Sequence, residues 1–250
     1  MGFRKYEMHH QYLLKRFRGM YDAQCEQMQE SFARMDQLLG REIAREREML
    51  EDEIAAQTIE DWKILSEETY DMEGEEIVFG NAYFRRLIRR SNLVTIMTYF
   101  ESSLSEITSL LLDEVNTRRV GTAPGLRLED FGHRNACHKC QIALTRYIGI
   151  SDNQSLWGSL QDFVKVRNLI IHQGGVIPVI DENGRFVPEQ KSPRTVHRKL
   201  ESKGFSLLES GEMIVEPQLY ELLLEKVRDY LCDVLDRALE HFTPPKAVKP

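Results

Sequence analysis

The apolar positions of this chain follow helical spacing over most of its length. In the first part they fall three, four or seven residues apart, at Met28, Phe32, Met35, Leu39, Ile43, Leu50 and Ile54. Charged residues at 41–42 and 45–48 lie between them, which is the pattern of an amphipathic helix. A stripe of this length predicts an extended helix or helical hairpin. It either forms a coiled-coil-like dimer arm or packs back on its own bundle.

A second stripe predicts the clearest core helix of the chain, over residues 81–116. Its apolar positions alternate steps of four and three, at Leu93, Met97, Phe100, Leu104, Ile107 and Leu111. Acidic residues thicken before it, between Glu60 and Glu76. We therefore predict a long helical N-terminal extension over residues 1–75 and a helical domain over residues 76–243.

Beyond residue 117 the pattern is mixed. Residues 117–132 predict a loop, 135–147 a short helix, and a further helix begins near Ser155, with Leu156, Trp157, Leu160, Phe163, Val164 and Ile171 at helical spacing. Segments 176–187 and 205–215 predict small β-hairpins. Pro217 opens a last helix, with Tyr220, Leu224, Val227, Leu231, Val234, Ala238 and Phe242 as its stripe. Residues 244–250 predict a disordered tail. The expected fold class is mainly α.

Composition and charge narrow the function classes. Apolar residues make up 42% and charged residues 29% of the chain, as in soluble globular proteins. No apolar run approaches the roughly 20 residues of a membrane helix, and four cysteines without a secretory leader indicate a cytoplasmic protein. The net charge of −7 argues against broad binding along nucleic acid. It leaves room for a small RNA cleft, where local charge decides.

The candidate functional residues lie at the end of the helix that begins near Ser155. Arg167, Asn168 and His172 precede two glycines, and Asn168 and His172 are one turn apart on one face. Arginine offers a fork of donors for phosphate, and histidine titrates near working pH. This set suits metal-free cleavage of an RNA phosphodiester. Because one chain supplies one such histidine, a two-histidine mechanism requires a two-fold dimer.

A structural interpretation of the same residues stays open. Arg167 would pair with a carboxylate, and His172 would cap the last carbonyls of its helix. Glu101 lies at the edge of the second stripe. Its carboxylate either pairs with Arg167, or orients His172 from behind, or is a solvated flank residue.

The motif Arg167-Asn168, three spacers, His172 and a glycine pair resembles the signature of the HEPN superfamily. The helix containing Phe100-Glu101 is similar to the aromatic-Glu helix of several bacterial HEPN families, and the resemblance covers residues 81–243. It implies a HEPN-like helical bundle. It also implies a metal-independent endoribonuclease without cofactor, which cuts RNA at a composite homodimer site.

The resemblance also implies a biological setting and an alternative. Many HEPN ribonucleases act in toxin–antitoxin or antiphage systems, restrained by an antitoxin or another regulatory protein. In one toxin group the antitoxin modifies a tyrosine two residues after the histidine, a position that Gly174 occupies here. Other members are non-catalytic modules that bind RNA, nucleotides or proteins.

Two further clusters of polar residues stand out in the sequence. Arg85, Arg86, Arg89 and Arg90 form a basic stripe that is either a solvated face, an RNA-guiding rim or a contact for an acidic partner. Cys137 and Cys140, with two histidines nearby, suggest a zinc site. A structural zinc site, however, generally needs four thiolate or imidazole ligands from two such short motifs. Cysteines at i and i+3 in a helix are expected to pack as small apolar residues. We therefore predict no metal site.

Overall fold

Helices dominate the fold. The computed structural model describes residues 2–56, 67–118, 125–132, 135–151, 153–176, 204–207 and 212–243. Within these ranges the α-helices are α1 (Gly2–Ala56), α2 (Glu67–Arg118), α3 (Ala136–Ile142), α4 (Gln154–Gln173) and α5 (Pro217–Phe242). A 3-10 turn spans Leu128–Asp130, and a π-helical turn spans Ala143–Ile148. The mainly α fold class is confirmed. No helix in the described ranges is long and apolar enough to cross a membrane.

Helix α2 lies at the centre of the bundle and packs against α1, α3, α4 and α5. All six side chains of its predicted stripe are buried, with at most 1% of their surface exposed. The helix begins at Glu67 rather than near Asn81, so the predicted start is wrong. Glutamate is a good helix former, and an acidic run without proline can extend a helix instead of ending it. The domain boundary predicted at residues 75–76 falls within α2, and the division there stays a prediction.

Helix α1 packs back along α5 in an antiparallel arrangement. Arg18 lies 2.6 Å from Asp236, and the Cys232 thiol lies 3.6 Å from the Asp22 carboxylate. Of the predicted N-terminal stripe, Met28, Phe32 and Met35 pack on the chain's own bundle. For the rest of the stripe both alternatives stay predictions. Four α1 side chains are buried in the common core: Leu14, Tyr21, Cys25 and Phe32.

Helix α5 follows a two-stranded antiparallel hairpin. Strands β1 (Phe205–Leu207) and β2 (Met213–Val215) pair Phe205 with Val215 and Leu207 with Met213. Pro217 stands in the first turn of α5, and the predicted α5 stripe is buried, which confirms both predictions. The hairpin predicted over 176–187 lies outside the described residues beyond Val176, which forms an isolated bridge with Glu212. The predicted tail, 244–250, also lies outside them.

Helix α4 carries the candidate motif. The side chain of Asn153 caps its start by accepting from the Leu156 N–H, at 3.3 Å. Most of the predicted apolar positions are buried or pack on the core. Ile171 was predicted to join them but is 49% exposed. Leu169 occupies the core in that last turn, and two residues of helical rotation turn Ile171 by about 200° away from it.

Candidate functional site

Two glycines in the left-handed region end the motif helix. Gly174 has a φ of +61° and Gly175 a φ of +78°, a conformation that side chains with a Cβ rarely adopt. The N–H of Gly175 donates to the carbonyl of Leu169 at 3.2 Å, which satisfies a carbonyl at the end of α4. The chain then turns towards β2, where the Met213 N–H donates to the Gly175 carbonyl at 2.8 Å.

Arg90 of α2 holds this turn in place. Its Nη1 donates to the Gly174 carbonyl at 3.1 Å, and its Nε donates to the Met213 carbonyl at 3.0 Å. Its Nη2 donates to Glu212 at 2.6 Å. A Cβ on Gly175 would lie 3.1 Å from the guanidinium, so the absence of a side chain there lets Arg90 approach the backbone. The end of α4 is therefore fixed to α2 and to the hairpin through one buried arginine.

Arg167 points into the bundle, where it meets Glu101. Its Nη2 forms an ion pair and a hydrogen bond with the Glu101 carboxylate, and both side chains keep about a fifth of their surface exposed. The Cys137 thiol of α3 lies 3.7 Å from the same carboxylate oxygen. The interpretation of Glu101 as the partner of Arg167 is thus the one observed. Helices α2, α3 and α4 meet at this carboxylate.

Asn168 and His172 lie on another side of α4. His172 is exposed and Asn168 is half-buried. Within the described part of the chain, no hydrogen bond joins His172 to Arg167, to Glu101 or to the helix-end carbonyls that a capping histidine would contact. A single chain therefore presents the imidazole to solvent and keeps the guanidinium closer to the core. It does not bring all three groups to one point.

Two further polar residues share the face of Asn168 and His172. Gln161 and Lys165 precede Asn168 by seven and three residues, so the four side chains form a polar line along α4. Lys165 is 60% exposed, and its ammonium lies 3.1 Å from Asp162. Lys165 was not among the residues predicted for the site. Its spacing of seven from His172, two helical turns, was the signal that placed it on this face.

The four arginines of the basic stripe contact carboxylates of the same chain. Arg85 and Arg89 both bind Asp36 of α1, at 3.0 Å each. Arg89 also pairs with Glu216, and Arg86 lies 3.7 Å from Glu212, the partner of Arg90. Arg89 and Arg90 are buried, so for them the solvated-face interpretation is wrong. The RNA-guiding role stays a prediction, and Arg85, 35% exposed, is the most accessible member.

The Asp36 contacts also set its ionisation. Burial alone would raise the pKa of Asp36, but hydrogen bonds and charge from Arg85 and Arg89 outweigh it and hold the pKa below its ordinary value. The carboxylate is therefore ionised at neutral pH, and it joins α1 to α2 next to the hairpin.

The cysteine pair of α3 packs in the core, as predicted. Cys137 and Cys140 are fully buried, and burial raises the pKa of both thiols, with Glu101 adding to the effect at Cys137. Among the residues that the structure describes, no group of three or more His, Cys, Asp or Glu side chains could hold a metal ion. His133, considered for a zinc site, lies outside them.

The arrangement offers an exposed imidazole, a half-buried amide, a guanidinium held by a carboxylate, and an exposed ammonium, all on one helix with a fixed end. Such a set can bind a phosphate group and exchange protons with it. No protein-family model, curated protein or solved structure matches this chain.

Proposed function

We propose that this protein is a metal-independent endoribonuclease of the HEPN type, cutting RNA at a composite site of two chains. The observation that carries the proposal is that the motif residues lie in different environments. His172 is exposed at the end of α4, next to the turn that Arg90 hydrogen-bonds, while Arg167 is oriented by Glu101. A histidine kept only as a helix cap would contact the last carbonyls.

Exposed apolar side chains next to the motif support dimerisation. Ile171 is 49% exposed and Val176 is 40% exposed, on either side of His172 along the chain. Each side chain offers apolar area that a second copy of the chain would cover at such an interface. Two copies related by a two-fold axis at this surface would bring both His172 side chains to one RNA strand.

The two imidazoles then act as the base and the acid of the reaction. One imidazole takes the proton of the 2′-hydroxyl, the 2′-oxygen bonds to the adjacent phosphorus, and the bond to the 5′-oxygen breaks. The second imidazole gives its proton to that leaving oxygen. Arg167 stabilises charge on the phosphate through donors that Glu101 does not occupy, and Asn168 orients a phosphate oxygen. The products carry a 2′,3′-cyclic phosphate and a 5′-hydroxyl.

The test compares RNA cleavage by the wild-type protein and by His172→Ala in EDTA. Loss of a positioned acid–base group lowers the rate by about 10²–10⁴-fold. The matched control is His241→Ala, because His241 is also exposed and also stands in the last turn of its helix. That variant should cut at the wild-type rate. DNA of the same sequence should stay intact because it lacks the 2′-hydroxyl.

Two outcomes would overturn the proposal. In the first, the wild-type protein is dimeric but cuts none of a set of structured and single-stranded RNAs. The other is equal cleavage by wild type and His172→Ala, since the activity would then come from another site or a contaminant. The biological setting, toxin–antitoxin or antiphage defence with a regulatory protein as partner, is part of the same proposal.

One observation favours a second candidate, a non-catalytic HEPN-like module that binds RNA, nucleotides or proteins. Glu101 neutralises the charge of Arg167 in the single chain, as a structural ion pair does. Glu101→Gln distinguishes the two. In the enzyme it loosens Arg167 and slows cleavage, whereas in the module it changes only stability.

A further inference from the structure

The polar line of α4 extends the motif surface from His172 towards the start of the helix. Its members Gln161, Lys165, Asn168 and His172 follow one another at steps of four, three and four. Lys165 and His172 are exposed, Asn168 is half-buried, and the amide nitrogen of Gln161 is buried. The rest of the helix buries Trp157, Leu160, Phe163, Val164, Val166 and Leu169. A helix so largely buried has few positions left for solvent. The polar line is one face on which a long ligand can lie.

Lys165 is the cation of this line that faces solvent most. Its side chain is 60% exposed, while that of its partner Asp162 is only 11% exposed. Because more than half of the lysine side chain is exposed, a phosphate can approach its ammonium from the solvent side while Asp162 contacts it from the protein side. The arginines near the same helix end are differently placed: Arg90 is 5% exposed and makes four hydrogen bonds to the protein.

We propose that Lys165 binds a phosphate of the RNA strand next to the one that His172 acts on, so that the strand runs along the polar line. This inference rests on the proposed function, because it takes RNA as the ligand of this face. Lys165 lies seven residues before His172, roughly 10.5 Å along the axis at 1.5 Å per residue. That separation places the two groups at different phosphates, with Asn168 between them.

The charge of the whole chain makes such a contact informative. With a net charge of −7, the protein repels a polyanion over much of its surface, and local cations must provide the attraction. Each phosphate neutralised by a lysine releases counterions, so binding falls with salt by a slope of about 0.7 per contact on a single strand. The salt slope therefore counts contacts, and the loss of one is measurable.

The experiment measures binding of a fluorescent single-stranded RNA of about 12 nucleotides, within the site sizes of single-strand binding proteins. Fluorescence anisotropy is followed against salt with His172→Ala protein, which prevents cutting. Adding Lys165→Gln should reduce the salt slope by about 0.7. It should weaken binding about two- to fivefold, equally across RNA sequences, as expected for one surface charge contact.

Two variants separate phosphate binding from a structural role. Lys15→Gln, at an exposed lysine of α1, removes the same charge elsewhere and should leave the slope unchanged. Lys165→Arg keeps the positive charge and should restore it. Glutamine can still donate to Asp162, and thermal unfolding verifies that Lys165→Gln remains folded. A slope unchanged in Lys165→Gln, or reduced as much by Lys15→Gln, would overturn the inference.

The outcomes for this inference and for the proposed function are distinguishable. If RNA is cut and the salt slope does not depend on Lys165, the proposed phosphate contact is refuted and the ribonuclease proposal stands. If RNA is bound through Lys165 but is never cut by the wild-type protein, the phosphate contact stands and the ribonuclease proposal is refuted. RNA that is neither bound nor cut overturns both.

Discussion

Gly175→Ala should destabilise the protein much more than Gly174→Ala, although both glycines have a positive φ in the same turn. At Gly174 a Cβ would meet nothing within 4 Å, so the cost is the left-handed backbone alone, about 1–2 kcal/mol. At Gly175 the same strain applies, and the new Cβ lies 3.1 Å from three atoms of the Arg90 guanidinium.

Arg90 has little freedom to move away from that methyl group. Its side chain is 5% exposed, and it bonds Gly174, Glu212 and Met213 at the same time. A shift sufficient for the methyl group weakens at least one hydrogen bond of a charged donor, which is worth about 1.5–3 kcal/mol. The expected loss for Gly175→Ala is therefore about 2.5–5 kcal/mol in the free energy of unfolding.

Urea unfolding followed by circular dichroism measures both variants against wild type, with the m-value as the check that the transition is unchanged. The difference between the two glycine variants isolates the Arg90 contact, because their backbone strain is similar. If Gly174→Ala and Gly175→Ala lose the same stability within about 0.5 kcal/mol, Arg90 does not constrain this turn and the reasoning is refuted.

Two other measurements test contacts away from the motif. Asp36→Ala leaves Arg89, buried on α2, without this partner and should cost about 3 kcal/mol in urea unfolding, whereas Glu42→Ala, in an exposed pair, should cost under about 0.5. Because the pKa of Asp36 is lowered on folding, its stabilising effect is present above the unfolded-state pKa and should disappear as the pH falls through the folded-state pKa; the wild-type stability advantage over Asp36→Asn should shrink in acid. Burial, with a contribution from Asp22, raises the pKa of Cys232 to about 11, so its alkylation by iodoacetamide should keep accelerating from pH 8 to about 10 without a plateau. Asp22→Asn should speed that reaction at pH 8, and an unchanged rate would contradict the assigned cause.

Helical periodicity predicted the elements in which local spacing and burial agree. The stripe of α2 and the stripe of α5 are both buried as predicted, because an unbroken alternation of three and four fixes one face of a helix. Periodicity could not find the start of α2, since glutamate-rich sequence is compatible with both helix and loop. It also placed Ile171 in the core, where the last turn of α4 uses Leu169.

Long-range pairing is what the sequence could not provide. The basic stripe on α2 has its partners Asp36, Glu212 and Glu216 far away along the chain, and nothing in the spacing of the arginines identifies them. The pairing of Glu101 with Arg167 was one of three alternatives, and only the packing of α2 against α4 selects it. The chemistry of each residue type was thus predictable from the sequence, but the side chain that it contacts in the folded protein was not.

The antiparallel contact of α1 with α5 sets a waiting time during synthesis. Arg18 and its partner Asp236 are separated by 218 residues, so at about 5–20 residues per second α1 leaves the ribosome roughly 10 to 40 s before α5 exists. Throughout that interval Phe32 lacks Tyr220 of α5, the ring against which it packs in the folded protein. A nascent chain in this condition is a substrate for chaperones and a target for proteases. The speed of translation, as well as equilibrium stability, therefore determines how much folded protein a cell obtains.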